Sequence, residues 1–297
     1  MGAGPAGLAY ATVAAQRGHA VTLFDSAAEI GGQFNLAKRI PGKEEFHETL
    51  RYFSRMLTLH GVVLKLNTRV DAELLQSQGF DEVVIATGIT PRQPELEGIQ
   101  HPKVVSYLDA ILARKPVGQR VAIMGAGGIG FDVSEFLLKP PHQPQPQPLA
   151  DWQREWGVDP DPNYISEGGM QRPEVEMPIR QIYLLQRKTT PLGIGLGKTS
   201  GWVHRAQLKK HAVRMLRGVQ YKAVTDEGLW VEHNGHDQLL RVDTIVVCAG
   251  QESVKDLMPK DGENTLANYH IIGGAKLAAE LDAKRAIREG AELAAKL

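Results

Sequence analysis

Two glycine-rich segments of the chain have the spacing of a phosphate-binding turn. The first, GAGPAG, covers residues 2–7, and the second, GAGGIG, covers residues 125–130. In such a turn the first glycine permits a tight bend, the second lets the backbone approach a pyrophosphate, and the third lets the following helix pack closely. The free N–H groups at the start of that helix attract phosphate oxygens. Both segments therefore predict dinucleotide binding, through Gly2, Gly4 and Gly7 and through Gly125, Gly127 and Gly130.

The residues that follow the two loops differ in charge. Asp25 comes about 20 residues after the first loop, at the end of a predicted strand, where a carboxylate accepts hydrogen bonds from a ribose diol. After the second loop, a predicted strand over 181–185 leads into Gln186, Arg187 and Lys188. Two cations in this place favour the 2′-phosphate of NADP over the free ribose of NAD. The alternatives are a turn cap for Asp25 and a solvated basic pair for the two cations.

Two dinucleotide loops in one chain predict FAD together with a nicotinamide cofactor. The segment EIGGQF, residues 29–34, follows the first loop. Its adjacent glycines would let the chain run close to the flavin side of the pyrophosphate, and the amide of Gln33 would then reach the cofactor. The other interpretation is that Gly31 and Gly32 form only a turn. We therefore assign FAD to the first loop and NADPH to the second.

Alternating strands and helices are predicted around both loops. In the first half, helices over 8–16 and 44–60 alternate with strands over 20–25, 62–66 and 82–86. The second half has strands over 121–124, 181–185 and 242–249 and helices up to Leu138 and over 201–216, and Asn234-Gly235 predicts a hairpin. The pattern predicts an α/β protein with two doubly wound, Rossmann-like parallel-sheet domains.

We expect the NADPH-binding domain to be inserted into the FAD-binding domain. Residues 1–105 and 252–297 would form the FAD domain, and 106–251 the NADPH domain. Five prolines in 140–148 exclude a helix there and begin a polar stretch, 140–178, that is typical of a surface insertion. The first loop begins at Gly2, which leaves no room for the strand that normally precedes such a loop. We expect the chain to be the rear portion of a larger flavoenzyme.

Composition narrows the possible partners and compartments. Thirty-four basic residues balance 34 acidic ones, so no overall field favours nucleic acid or an anionic membrane. No apolar run approaches the roughly 18 residues of a membrane span. The single cysteine, Cys248, excludes an internal disulfide and a two-cysteine redox relay. We expect a cytoplasmic protein without a metal site, in which Cys248 is a small core residue rather than a nucleophile.

These motifs together resemble one family. The chain is similar to the C-terminal half of bacterial NADPH-dependent 2,4-dienoyl-CoA reductase, an old-yellow-enzyme-like iron–sulfur flavoprotein, in the segments GAGPAG, VTLFD, EIGGQF, IPGKEEF, HPKVVSYLDA, VAIMGAGGIGFD, LLQRK, GLGKTSGWVHR, VVCAGQE and ELDAKRAIREG. The resemblance covers nearly the whole chain. One departure is Ala275-Lys276, where the family has Cys-Asp.

The resemblance implies a set of cofactor-binding residues. For FAD these are Gly2, Gly4, Ala6, Gly7, Asp25, Gly32, Gln33, Lys43, Val70, Thr87, Gly88, Gly273 and Gly274. For NADPH they are Gly125, Gly127, Gly128, Gly130, Arg187 and Lys188. Val70 would meet the adenine through its backbone, and no side chain of the chain is implied as a catalytic acid or base.

The resemblance also implies a relay of electrons. NADPH would reduce FAD, electrons would cross a 4Fe–4S cluster to FMN, and a (β/α)8 barrel would reduce 2,4-dienoyl-CoA. The cluster, FMN and the acyl substrate would all be bound by an N-terminal half that lies outside this chain. Two alternatives stay open: a stand-alone NAD(P)H–flavin oxidoreductase with another acceptor, and a non-catalytic nucleotide-binding fragment.

Overall fold

The computed structural model describes residues 1–140, 147–161, 166–259, 267–279 and 282–297. Within these residues, the strands are β1 (Thr22–Phe24), β2 (Val63–Lys65), β3 (Glu82–Ile85), β4 (Ile89–Pro91), β5 (Val104–Ser106), β6 (Arg120–Met124), β7 (Gln181–Gln186), β8 (Arg214–Arg217), β9 (Gln220–Thr225), β10 (Gly228–His233), β11 (His236–Leu240), β12 (Thr244–Val247), β13 (Gln251–Ser253) and β14 (Asn268–Ile271).

The α-helices of the same residues alternate with these strands. They are α1 (Pro5–Gln16), α2 (Phe34–Ala37), α3 (Phe46–Leu59), α4 (Ala72–Ser77), α5 (Tyr107–Ile111), α6 (Gly128–Leu138), α7 (Leu149–Trp156), α8 (Gly201–Lys210), α9 (Gly273–Lys276) and α10 (Ala283–Lys296), and a 3-10 turn covers Ser166–Gly169. The predicted helix over 201–216 is wrong in its second half. The helix ends at Lys210, Ala212 takes a left-handed backbone with φ of 56°, and the chain continues as β8, which pairs with β7.

The chain divides into two compact units. The first unit comprises Met1–Lys38, Glu45–Arg92 and Gln251–Leu297, and the second comprises Arg39–Glu44 and Gln93–Gly250. The boundary after β4 differs from the predicted one after residue 105, because β5 pairs with β12 and therefore belongs to the second unit.

The second unit is built on a parallel sheet of five strands in the order β5-β12-β6-β7-β8. Strands β6 and β12 are buried along nearly their whole length, as expected for a parallel sheet that is covered on both faces. An antiparallel sheet, β9 to β11, completes this unit. Its β10–β11 hairpin turns at Asn234 and Gly235, both with positive φ, which confirms the predicted turn.

The first unit has two parallel strand pairs, β1–β2 and β3–β14, with Met1 between them. The Met1 nitrogen donates to the Val84 carbonyl at 2.8 Å, and the Met1 carbonyl accepts from Ala86 N–H at 2.8 Å. On the other side, Gly2 N–H donates to the Phe24 carbonyl at 2.8 Å. A single residue and its neighbour thus link the two strand pairs.

The second unit repeats these hydrogen bonds at the corresponding places. Gly125 N–H donates to the Leu185 carbonyl at 3.0 Å, and Cys248 N–H donates to the Met124 carbonyl at 2.8 Å. Met124 and Gly125 therefore correspond to Met1 and Gly2, and β6 corresponds to the strand position that only Met1 occupies in the first unit. The predicted repeat of one plan is present, and the α/β, Rossmann-like fold class is confirmed.

Helix α1 of the first unit packs closely against α10. A Cβ added at Gly290 would lie 2.2 Å from the Ala6 carbonyl oxygen, and one added at Gly273 would lie 2.8 Å from the Ala6 Cβ. Small residues at these positions therefore let α9 and α10 approach the start of α1. On its other side α1 shares an apolar core with α3, through Leu8, Phe53 and Leu57.

The stretch predicted as a surface insertion is only partly exposed. Residues 141–146 of its proline-rich segment, and 162–165, lie outside the described residues. Helix α7 begins at Leu149 and ends at Trp156, and its C-cap residue Gly157 has a φ of 69°. Glu155 of this helix is buried, so α7 is anchored to the second unit rather than lying free on its surface. In the part of the chain that the structure describes, no helix has the length and apolarity needed to cross a membrane.

Candidate functional site

The first glycine loop is tightly packed at its two ends and open in its middle. A Cβ at Gly2, where φ is 98°, would lie 2.2 Å from the Ala86 carbonyl oxygen, and one at Gly7 would lie 1.8 Å from the Gly2 carbonyl oxygen. At Gly4 the nearest atom to such a Cβ is the Gly32 Cα at 3.9 Å. The first and third glycines are therefore required by packing, whereas the second leaves space on the outer side of the loop.

The second loop has the same distribution of space. A Cβ at Gly125, where φ is 112°, would lie 2.4 Å from the Cys248 carbonyl oxygen, and one at Gly130 would lie 1.9 Å from the Gly125 carbonyl oxygen. At Gly127 and Gly128 no atom lies within 4 Å of an added Cβ. The loop therefore offers a bare stretch of backbone at the two positions where a phosphate group would approach.

Helices α1 and α6 begin at these loops without a side-chain cap. Gly4 and Gly127 are the N-cap residues, and neither start has a side-chain hydrogen bond to the first-turn N–H groups. These groups have no partner within the helix, and the helix dipole adds a partial positive charge. Open backbone and free donors together fit a pyrophosphate, so the residues present fit a dinucleotide at both loops.

Asp25 lies at the end of β1 beside the first loop. Its Oδ2 accepts from Ala3 N–H at 2.7 Å, and its Oδ1 accepts from Ala27 N–H at 2.8 Å. These bonds fix the carboxylate next to a cleft of about 210 Å³ in the first unit. The cleft brings together four of the predicted residues, Gly2, Asp25, Val70 and Thr87, and Met1 and Ser26 line it as well.

The Gly31-Gly32 turn is pinned against the first loop. Gly31 N–H donates to the Ala3 carbonyl at 2.7 Å, and a Cβ at Gly32, where φ is 52°, would lie 3.0 Å from the Gly4 Cα. Gln33 follows as the N-cap of α2 and is half-buried. The two glycines therefore form a turn, and its position beside Gly4 also suits the predicted role along the pyrophosphate.

The next predicted FAD residues lie in, or are hydrogen-bonded to, the C-terminal segment of the first unit, Gln251–Leu297. Thr87 Oγ1 donates to the Val254 carbonyl at 2.7 Å, and Val254 N–H donates to the Gly88 carbonyl at 3.1 Å. Gly273 N–H donates to Glu289 of α10 at 2.7 Å, and the Gly274 carbonyl accepts from Ser253 Oγ at 2.7 Å. Beside them Ala275 is buried, whereas Lys276 is exposed.

Arg187 and Lys188 follow β7 in the second unit. Both side chains are exposed, and among the described residues no salt bridge involves either of them. The end of β7 adjoins the second loop, because the Leu185 carbonyl accepts from Gly125 N–H. Arg217 at the end of β8 is a further exposed cation, paired in register with Gln186. The sequence did not single out Arg217, because β8 was predicted as part of a helix.

Lys43, predicted as a FAD contact, belongs to the second unit. Its Nζ lies 2.6 Å from each carboxylate oxygen of Asp132 on α6. Asp132 was missed, although it stands only two residues after Gly130. One turn further along α6, Glu135 accepts from His204 Nδ1 at 2.7 Å, and this hydrogen bond raises the pKa of His204. The predicted contact of Lys43 with FAD stays a prediction.

A second polar cluster lies between α6, α7 and α8, beside a cavity of about 440 Å³. Glu155 is its centre, with Gln207 Nε2 at 2.7 Å, Gln147 Nε2 at 2.9 Å and Lys210 Nζ at 3.1 Å. Burial alone would raise the pKa of Glu155. The hydrogen bonds from Gln207, Gln147 and Lys210 and the charge of Lys139 outweigh burial and hold the pKa of Glu155 at about 2.

Cys248 is buried at the end of β12, as expected for a core residue. Burial strongly raises the pKa of its thiol, so it is not a thiolate near neutral pH. The prediction that Cys248 is a core residue is confirmed.

The family model for pyridine nucleotide-disulphide oxidoreductases matches residues 1–272, more than nine-tenths of the chain. The chain belongs to this family. As a member of it, the chain is a flavin-dependent NAD(P)H oxidoreductase domain, in agreement with its two open glycine loops.

This pyridine nucleotide-disulphide oxidoreductase resembles part of longer reductases. It is 31% identical over 272 residues to a metal reductase of Desulforamulus reducens, covering 86% of this chain and 38% of the relative. It is 28% identical over 280 residues to a cinnamate reductase of Clostridium sporogenes, covering 93% of this chain and 36% of the relative. The chain thus spans under two-fifths of the length of these curated relatives.

A solved complex of 2-naphthoyl-CoA reductase with 2-naphthoyl-CoA has the same fold. The TM-score is 0.80 at 24% identity, and the match covers 100% of this chain and 39% of the other. At this level of identity the likeness shows the fold alone.

Proposed function

We propose that this chain transfers hydride from NADPH to FAD as the electron-input half of a cytoplasmic 2,4-dienoyl-CoA reductase. The observation that carries the proposal is the pair of glycine loops. Each is closed at its first and third glycines and open at its second, and each is followed by an uncapped helix. Two such loops in a family of flavin-dependent oxidoreductases fit two dinucleotides.

We assign FAD to the first unit and NADPH to the second. Asp25 supports the first assignment, because its carboxylate is held beside the cleft next to the first loop. Arg187 and Lys188 support the second, because they place exposed positive charge after β7 where a 2′-phosphate would be bound.

The two cofactors, when bound, supply the hydride chemistry: the nicotinamide gives up two electrons and one hydrogen nucleus, and the flavin receives them. The task of the protein is to bind both, orient them and exclude water. No side chain is needed as an acid or base for this step, and we assign none.

We divide the proposed reaction between this chain, which would reduce FAD, and a further segment, which would reduce the final acceptor. A 4Fe–4S cluster needs four cysteine ligands, and the chain has one cysteine, which is buried. We therefore place the cluster, FMN and the reduction of 2,4-dienoyl-CoA outside these residues. The names of the relatives, a cinnamate reductase and a 2-naphthoyl-CoA reductase, support an unsaturated organic acceptor, and that of the metal reductase supports the alternative of another electron acceptor.

The test is an anaerobic titration of the chain with NADPH in the presence of added FAD. We expect the visible flavin band to bleach as NADPH is consumed, faster than in a mixture of the cofactors alone. We also expect no consumption of 2,4-dienoyl-CoA by the chain. Unchanged flavin absorbance would overturn the hydride-transfer proposal, and turnover of dienoyl-CoA would overturn the division of labour.

A further inference from the structure

The turn after β7 is held by the side chain of Gln186. The Gln186 Nε2 donates to the Lys188 carbonyl at 3.0 Å and to the Thr190 carbonyl at 2.7 Å, and Thr190 Oγ1 lies at 3.4 Å. Both principal partners are carbonyl oxygens, which can only accept, so the amide nitrogen rather than the amide oxygen must face them. One side chain thus spans the turn that carries the two exposed cations.

The same turn is fixed from the neighbouring strands. Gly218 N–H donates to the Lys188 carbonyl at 3.0 Å, and Val219 N–H donates to the Gln186 carbonyl at 3.0 Å. The Lys188 carbonyl therefore receives two donors, one from the Gln186 side chain and one from the backbone. The backbone of the cation pair is held in place, while the side chains of Arg187 and Lys188 extend into solvent.

We propose that Gln186 is a positioning residue for cofactor choice: its amide shapes the turn so that Arg187 and Lys188 receive the 2′-phosphate of NADPH. This inference rests on the proposed assignment of NADPH to the second unit. Glutamine suits the place because it donates two hydrogen bonds without charge. A carboxylate there would have no donor for the two carbonyls and would oppose the positive field that a phosphate needs.

The test is calorimetric binding of NADP⁺ and NAD⁺ to the full chain, which does not depend on flavin. Gln186→Met keeps the length of the side chain and removes its donors. We expect NADP⁺ affinity to fall about five- to tenfold, the effect of one or two hydrogen bonds, with NAD⁺ affinity changed less than about twofold. Gln186→Glu should lower NADP⁺ affinity further while sparing NAD⁺.

The combined variant Arg187→Ala/Lys188→Ala separates the inference from the assignment on which it rests. If Gln186 acts through the two cations, Gln186→Met should cause no further loss of NADP⁺ affinity in that background. Arg214→Ala, at the opposite end of β8, is the matched control and should leave NADP⁺ affinity unchanged.

Three results would overturn the inference, and they differ in what else they affect. If Arg187→Ala/Lys188→Ala binds NADP⁺ as well as the parent chain, the assignment of the cations fails and the role of Gln186 fails with it. If that variant loses NADP⁺ but Gln186→Met does not, only the inference fails. If Gln186→Met loses NADP⁺ and NAD⁺ equally, its effect is a general loss of structure and Gln186 has no part in discrimination.

Discussion

Gly130 packs directly on the carbonyl oxygen of Gly125, from which an added Cβ would stand only 1.9 Å away. The oxygen belongs to the backbone, and the N–H of the same residue is hydrogen-bonded to the Leu185 carbonyl in β7. The contact joins the start of α6 to the end of β6. Fold and binding therefore depend on different glycines of the same loop.

The first prediction separates these two roles by mutation. Gly130→Ala should destabilise the second unit by at least about 2 kcal/mol, because the methyl group overlaps a fixed carbonyl. Gly127→Ala has no atom within 4 Å of its new Cβ and an ordinary φ of −79°, so it should cost less than about 1 kcal/mol. It should instead abolish NADP⁺ binding, by keeping the pyrophosphate away from the backbone.

Urea denaturation and calorimetry check both halves of this prediction. The free energy of unfolding should order the variants as parent, Gly127→Ala and Gly130→Ala, and NADP⁺ affinity should be lost in the variant that stays stable. A Gly127→Ala protein that binds NADP⁺ like the parent would contradict the role of the open backbone.

The second prediction concerns Asp25. Asp25→Asn preserves the shape of the side chain but removes its charge and replaces one acceptor oxygen with a donor that faces a backbone N–H. We expect FAD affinity to fall about tenfold or more, because a hydrogen bond to a charged group is lost. NADP⁺ affinity in the second unit serves as the internal control and should not change. Equal loss of both ligands would indicate damage to the whole fold.

The sequence predicted the parts of the fold and site that depend on local spacing. The glycine loops, Asp25, the strands that follow both loops and the strand before the second loop are short-range patterns, and the structure contains each of them. The end of α8 was missed because the residues after Lys210 include well-spaced apolar side chains, whereas pairing with β7 turns Arg214–Arg217 into a strand. Tertiary pairing overrides local helix preference here.

The contacts of the site that the sequence did not predict share a different cause. Lys43 and Asp132 are 89 positions apart, and nothing in the sequence brings them together. Gln186 stands next to the cations that were predicted, but its role depends on where the carbonyls of Lys188 and Thr190 point. Such side chain–backbone bonds become visible only once the turn is folded.

The third prediction tests the buried carboxylate of α7. Glu155→Gln leaves the Lys139 and Lys210 cations in a cluster that is almost closed to solvent, so it should lower the free energy of unfolding by about 3 kcal/mol. Glu48→Gln is the matched control. Its partner Arg51 lies on the surface, and the loss should be below about 1 kcal/mol.

Urea denaturation near neutral pH checks this pair of variants. Because the pKa of Glu155 is lowered to about 2, its stabilising charge is present above the ordinary carboxyl range and is lost only as the pH falls towards 2. The difference between parent and Glu155→Gln should therefore be constant from neutral pH down to about 5. Similar losses in Glu155→Gln and Glu48→Gln would show that the cluster adds nothing beyond a surface pair.

The fourth prediction is a pH dependence from His204. Its pKa is raised by the Glu135 hydrogen bond and further by the charges of Glu135 and Asp132, against burial and the Lys43 charge. A raised pKa means that the stabilisation is complete below the unfolded value of about 6.5 and is lost as the pH rises through the folded value. The free energy of unfolding of the parent should exceed that of His204→Gln at mildly acidic pH, and this difference should shrink as the pH becomes alkaline.

Unfolding by urea at several pH values measures this advantage directly. The glutamine side chain of the His204→Gln variant would be a neutral donor at every pH, so the parent alone contributes the change. A difference in the free energy of unfolding that stays constant, or widens as the pH rises, would contradict the ion pair between His204 and Glu135.

Met1 lies between β1 and β3, bonded to the second of these through both its nitrogen and its carbonyl. Any polypeptide fused ahead of Met1 would have to run between β1 and β3, with one strand on each side of it. Its first residues would have to be extended, and a compact or helical partner placed immediately before Met1 would push the two strands apart. Leu297, by contrast, follows the last turn of α10. An affinity tag or a fluorescent protein should therefore be attached at Leu297, where a linker would not have to pass between two strands.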